Sequence, residues 1–443
     1  MTKHKDKNLI ELVKGGSVSL VIKLMGMLFG YLSMLFITKY FGAEEWGVYS
    51  LCITVLSVAI IFPKFGFDTS LVRIIAELNV KNKQDQISGV LLRSTLISIA
   101  LSLLVIVAIT LFADVVVSKV IKQPEMLYYF KIISIAIIPM ALLTIYSSLF
   151  QALKKTAFFM LFQATLINVV FFILLIFYYN FEIDFSGTFN LYVIAVFIVL
   201  ISLILFLVIT IKKLNTDKIT KREKPSFGYL KIFKISFPMM MSSSFALLIG
   251  WVDIFMLSYY KTTTDIGIYN TTLKLAALST ITLMAVNAIA TPKFGEFYIS
   301  KNIAGLKETV KNSTKMIFLT STPILLALIV FARPILGFFG EEFKVGYLSL
   351  IYLCISRFIN AISGSVGYLM QMTDQQNQFQ NVLIVAFVIN LILNYLLIPK
   401  YSYEGAAIAS GLSMIFWNLA LVIIIKRKLG FWTFYNPLQN LRE

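Results

Sequence analysis

Four charged side chains stand inside stretches that are otherwise apolar: Lys23, Asp253, Lys274 and Arg357. A charge at bilayer depth costs about 3 kcal/mol on insertion scales, so each is expected to face a partner or a water-filled cavity. Three of the four are cations and would suit an anionic ligand, Arg357 through its planar fork and Lys23 and Lys274 as point charges. Lys23 lies roughly 12 Å into the first apolar stretch, where snorkelling to the interface competes with facing a cavity. Arg357 sits mid-stretch, too deep to snorkel easily. Asp253 is the only acid of the four. It and Lys274 flank the turn at 261–266 nearly symmetrically, so antiparallel helices would bring them to similar depth. Two readings follow: a structural ion pair, or a carboxylate that binds a cation. Asn390 and Asn394 are one turn apart and share a helix face. With Ser410 they could complete an oxygen site for Na⁺ around Asp253, or Asp253 could carry H⁺ alone. Hydrogen bonding between helices is the plainer use of the Asn pair.

The elements that would position these residues follow from composition. Of 443 residues, 58% are hydrophobic and 14% charged, and mean hydropathy is +0.85. A soluble chain carries roughly 25% charged residues. Two soluble domains and intrinsic disorder are thereby excluded. The 38 Phe and 21 Tyr suit a lipid-facing surface with amphipathic rings at its edges. Cys52 and Cys354 lie in apolar runs, which argues against a disulfide framework or a thiolate metal site. His4, the only histidine, lies in a charged tail and cannot anchor a triad or a zinc site.

A bilayer core needs about 20 apolar residues as helix. Twelve segments qualify: 15–40, 44–63, 90–112, 130–151, 157–180, 188–211, 235–260, 266–291, 316–334, 346–370, 378–398 and 405–425. With the N-terminus inside, the cytoplasmic segments hold 27 Lys and Arg and the external loops seven. That asymmetry predicts both termini in the cytoplasm. It also accounts for the net charge of +17 and the pI near 9.6 without nucleic acid. The longest polar stretch, 212–234, contains Lys221, Arg222, Glu223, Lys224 and Pro225 and lies at the midpoint of the chain. The expected organisation is an N-terminal lobe over 1–211, a cytoplasmic linker over 212–234 and a C-terminal lobe over 235–443.

A displacement of 220 residues supports two related lobes. It sets Tyr40 on Tyr260, Glu45 on Asp265, Gly47 on Gly267, Val48 on Ile268 and Tyr49 on Tyr269. It also sets Leu149 on Leu369 and Gln151 on Gln371. Six spans per lobe preserve orientation, which implies a parallel repeat about an axis along the membrane normal. The tetrapeptide Pro-Lys-Phe-Gly recurs at 63–66 and 292–295, at a different offset. Pro139, Pro238 and Pro323 within spans, and the spacing Gly26-x-x-x-Gly30, would permit bends and close helix contact.

Several motifs point further: Gly250-Trp-Val-Asp253, Gly267-Ile-Tyr269, Asn390-Leu-Ile-Leu-Asn394, Glu404-Gly405 to Ser410, Trp46-Gly47-Val-Tyr49 and Asp68 to Arg73. In order and spacing they resemble the polysaccharide transporter family, the O-antigen and capsule repeat-unit flippases. That family belongs to the superfamily of multidrug (MATE), oligosaccharidyl-lipid and polysaccharide exporters. The resemblance implies an all-α integral membrane protein, MATE-like, with twelve transmembrane helices in two six-helix lobes. It implies a polyprenyl-diphosphate-linked oligosaccharide as substrate, flipped across a bacterial cytoplasmic membrane by alternating access, without enzymatic chemistry or a resident cofactor. Lys23, Lys274 and Arg357 would then bind the pyrophosphate. Asp253, Asn390, Asn394 and Ser410 would hold the coupling cation, H⁺ or Na⁺. The lipid bilayer and other polysaccharide-assembly membrane proteins are the expected partners, and a monomer the expected state. Two rivals are a MATE-type drug exporter and a membrane-embedded glycosyltransferase or polymerase. The short external loops, including Glu44–Glu45 and Glu182-Ile-Asp184, disfavour the latter.

Overall fold

The computed structural model describes residues 2–81, 83–124, 126–181, 187–215 and 227–435. Lys221 to Pro225 of the expected linker, and Glu182-Ile-Asp184, lie outside the described residues. Among those described, every regular element is helical. The helices are α1 (Thr2–Ala59), α2 (Ile61–Lys64), α3 (Phe67–Val80), α4 (Ile87–Val116), α5 (Met126–Ala152), α6 (Thr156–Met160), α7 (Leu166–Phe181), α8 (Thr188–Asn215) and α9 (Tyr229–Ile249). After a break come α10 (Val252–Tyr260), α11 (Thr263–Ala277), α12 (Thr280–Ile299), α13 (Ile303–Val330), α14 (Ala332–Gly337), α15 (Tyr347–Ser363), α16 (Val366–Met372) and α17 (Gln376–Leu429).

Eight of the described helical stretches are long and apolar enough to cross a bilayer, nine if α11 and α12, bent by 42°, count as one. Two of the eight conceal kinks. Gly42 (φ 84°, ψ 179°) interrupts α1, and Ser402 (φ 48°, ψ −131°) interrupts α17. Each of these helices carries two of the segments read from sequence. The count of twelve rests on dividing α1 and α17 at those kinks and on joining α9 with α10 across Gly250–Trp251. The outer surface is that of a protein dissolved in lipid: along α4, Leu104 is 66% and Leu111 71% exposed. Such a surface in water would be an aggregation liability.

The chain divides into two compact units, Met1–Trp251 and Val252–Glu443. The division falls at Trp251, inside the seventh predicted segment, rather than in the 212–234 loop. The cause is local. Gly66, at φ +69°, brings its backbone so near α9 that a Cβ would lie 2.6 Å from Met240 N and 2.7 Å from Ser236 O. Only glycine fits that combination of conformation and closeness. Ser70 Oγ and Ser236 Oγ hydrogen-bond at 2.7 Å beside it, and Phe65 packs on Phe233 at 4.6 Å. Arg93 of α4 donates to Phe227 O at 3.0 Å, just before α9 begins. The first half of span seven is thus bound to the first unit.

Within that unit α1 lies close against α7. Asn168 donates to Gly26 O at 2.9 Å and Thr165 to Ile22 O at 3.0 Å. A Cβ on Gly26 would meet Thr165 Oγ1 at 2.6 Å, so the Gly26-x-x-x-Gly30 spacing does bring two helices together. Glu45, just past the kink at Gly42, accepts from Thr188 N at 2.7 Å and Thr188 Oγ1 at 2.8 Å, capping α8.

In the second unit Asp265 has the corresponding task. Its Oδ2 closes a capping box with Thr262 at the start of α11, and its Oδ1 accepts from Ser402 Oγ at 2.9 Å. That bond anchors the kink in α17, where a non-glycine residue has positive φ. The α17 helix packs against α10, α11, α15 and α16, and so gathers four helices around its two halves.

Candidate functional site

Asp253, in the first turn of α10, is 3% exposed and accepts hydrogen bonds from four side chains. Tyr269 Oη of α11 donates to Oδ2 at 2.5 Å, and Ser410 Oγ of α17 donates to the same oxygen. Asn394 Nδ2 donates to Oδ1 at 2.7 Å and Asn390 Nδ2 at 3.2 Å. The donors also bond one another: Asn394 Nδ2 reaches Asn390 Oδ1 at 3.1 Å, and Asn390 Nδ2 reaches Ser410 Oγ at 3.3 Å. The local reasons are plain. Asn390 and Asn394 share one face of α17 before its kink. Ser410 lies after the kink, so the interruption at Ser402 brings it back to Asp253.

The arrangement is a buried carboxylate surrounded by neutral donors. Such a group is costly in an apolar interior unless its lone pairs are met, and here both oxygens are. One polar atom of the cluster stays unpaired: Asn394 Oδ1 is buried with no hydrogen-bond partner. The cluster therefore offers a monovalent cation the two carboxylate oxygens, the Ser410 and Tyr269 hydroxyls and a spare amide oxygen. Among the described residues there is no group of three His, Cys, Asp or Glu side chains that could hold a transition metal.

All four residues expected around a cation thus meet in one cluster. Tyr269, which the sequence marks only as a repeat position and motif residue, is a further member. The signal was its place beside Gly267 on a helix that begins at the Asp265 cap. Lys274, five residues beyond Tyr269 on α11, is not among the four donors to Asp253. It is half-buried in the last turn of that helix. Arg357 is half-buried on α15, two turns before its end, and lies within electrostatic range of Tyr269. These two cations belong to the second unit. Lys23 is half-buried on α1 of the first unit, next to Ile22, whose carbonyl receives the Thr165 bond.

Comparison with known proteins agrees with this architecture. A family model described as polysaccharide biosynthesis protein matches residues 12–298, and one described as MatE matches 238–396. A probable low-salt glycan biosynthesis flippase of Haloferax volcanii, Agl15, is 26% identical over 196 residues, which is 44% of this chain and 42% of that protein. A probable flippase of the same organism, AglR, is 22% identical over 39% of this chain and 37% of its own length. The chain thus spans less than half the length of these two relatives. An uncharacterized membrane protein of Methanocaldococcus jannaschii, MJ1068, is 22% identical over 90% of this chain and 80% of its own. Among solved structures, the lipid II flippase MurJ in an inward closed conformation superposes with a TM-score of 0.72 at 17% identity, over 94% of this chain and 87% of that one. An inward-facing MATE family multidrug transporter gives 0.75 at 14% identity, over 93% and 98%. At such identities the likeness is one of fold: an all-α, multi-pass membrane protein.

Proposed function

This chain belongs to the polysaccharide biosynthesis protein family, and we propose from that premise that it is a flippase for a lipid-linked oligosaccharide. The substrate is a polyprenyl-diphosphate carrier bearing a short glycan, moved across the cytoplasmic membrane by alternating access. A cation bound at Asp253 couples the movement to a gradient. Both termini face the cytoplasm, as the 27 to seven distribution of Lys and Arg supports.

The observation that carries the reading is the Asp253 cluster. A carboxylate held by Tyr269, Ser410, Asn390 and Asn394 is assembled from three helices at the cost of burying a charge. Binding H⁺ or Na⁺ neutralises that charge and changes what the four donors bond to. α10, α11 and α17 then have two arrangements with different preferred ligands, as a coupled transporter requires. For Na⁺, rotation of the Asn394 amide would turn oxygen toward the ion. Arg357 and Lys274, both of the second unit, supply positive charge for the diphosphate, Arg357 through paired N–H donors.

The test is reconstitution. Purified protein in liposomes that contain a fluorescent polyprenyl-diphosphate oligosaccharide should expose the glycan to an impermeant glycosidase added outside, at a rate that depends on the protein. Equal exposure in protein-free liposomes would overturn the reading. So would selective transport of hydrophobic organic cations, the behaviour of a drug exporter.

A further inference from the structure

The second unit contains another group of buried polar side chains, on helices and turns that take no part in the Asp253 cluster. Asn287 of α12 is 3% exposed, and neither its Oδ1 nor its Nδ2 has a hydrogen-bond partner. Thr314 Oγ1 of α13 and Ser365 Oγ, in the break between α15 and α16, are likewise buried and unpaired.

Packing brings the three to one level. Near the turn between α12 and α13, a Cβ on Gly305 would touch Phe297 at 2.8 Å. Counting back along the two antiparallel helices from that contact, Asn287 comes level with Thr314. A Cβ on Gly295 would touch Met372 Sδ at 3.7 Å, and the same count along α12 and α16 brings Asn287 level with Gly364 and Ser365. Closing the circle, a Cβ on Gly364 would fall 2.1 Å from Thr314 Oγ1. Beneath this level the packing is apolar: Ala290, Phe294, Val310 and Val366 belong to one buried cluster. The polar level is therefore a distinct layer, and it coincides with the break between α15 and α16.

We propose that Asn287, Thr314 and Ser365 bind ordered water at the break between α15 and α16. The chemistry selects water over an ion. Asn287 presents an unpaired donor and an unpaired acceptor, and a metal cation could satisfy only the acceptor. Water meets both, and a buried water needs two to four polar partners, which this layer supplies. The inference stands apart from the flippase reading and from the Asp253 cluster.

The experiment has two arms on the full chain. A structure in lipid nanodiscs, at a resolution that shows ordered solvent, should reveal water within hydrogen-bond distance of Asn287 and of Thr314 or Ser365. A direct amide-to-hydroxyl bond or a dry layer would overturn the proposal. In thermal unfolding, Asn287→Leu should lower Tm, and Asn287→Ser, which supplies a hydroxyl able to donate and accept and leaves room for water, should restore most of it. Thr314→Val should lower Tm in the wild type but little further in the Asn287→Leu background. An unchanged or raised Tm for Asn287→Leu, or fully additive losses, would contradict it. If Asn287→Leu does not fold, the pair Thr314→Val and Ser365→Ala carries the same test of non-additivity.

Discussion

The 220-residue displacement pairs Tyr269 with Tyr49 and Asp253 with Ser33, and the two units use these positions in opposite ways. In the second unit Tyr269 donates to a buried carboxylate. In the first, Tyr49 stacks between Trp46 and Phe171, each at 5.3 Å, and Ser33 Oγ has no hydrogen-bond partner. Lys274 and Arg357 fall on Thr54 and Ile137, both uncharged. The carboxylates that anchor helix ends differ less: Glu45 caps α8 and Asp265 caps α11. Scaffold functions are thus shared between the units, whereas the Asp253 carboxylate and its four donors have no counterpart at the matching described position of the first unit, Ser33.

The contrast can be broken by substitution. Asp253→Ala should abolish glycan export, while Ser33→Ala, its counterpart in the first unit, should leave it near wild type. Export is read as surface glycan in a host lacking its own flippase. Equal losses at the two sites would erase the distinction. Arg357→Ala should lower export about tenfold or more, equivalent to ~1.4 kcal/mol, with normal membrane insertion. Normal export would remove Arg357 from headgroup binding.

Smaller effects sharpen the comparison. A hydrogen bond to a charged group contributes about 1.5–3 kcal/mol. Tyr269→Phe should therefore shift coupling roughly 10- to 100-fold: the hydroxyl stabilises the ionised carboxylate, so its loss should lower the H⁺ concentration that half-saturates a proton-coupled transport, whereas a Na⁺ that used the hydroxyl as a ligand would need a higher one. Tyr49→Phe retains the rings stacked on Trp46 and Phe171, and should change neither that concentration nor Tm by more than the equivalent of about 0.5 kcal/mol. Matching shifts for the two tyrosines would mean that both units bind the ion.

Much of this was legible in the sequence, for reasons that differ from residue to residue. The spans could be read because apolar length is set by the bilayer. The association of Asp253 with Asn390, Asn394 and Ser410 could be read because a buried carboxylate demands partners and the Asn pair is spaced one helical turn apart. The kink at Ser402 could not, since nothing in Lys400-Tyr-Ser-Tyr403 announces positive φ. It depends on the bond that Asp265 supplies from a distant helix. Tyr269 could not be read as the neighbour of Asp253 because the choice between it and Lys274 turns on the rotation of α11 about its axis, which packing decides. Charge marks the 212–234 loop in the sequence, whereas the close approach at Gly66 decides to which compact unit α9 belongs.

The most direct test compares wild-type protein with Asp253→Asn in liposomes under an imposed Na⁺ or H⁺ gradient. Asparagine preserves the shape of the cluster, and its four neighbours include hydroxyls able to accept from the new amide, so the variant should fold with near-normal Tm. The account predicts that wild type moves the lipid-linked glycan faster when the gradient is applied and that Asp253→Asn shows no response to it. A folded Asp253→Asn variant that still follows the gradient would contradict the assignment of coupling to this carboxylate.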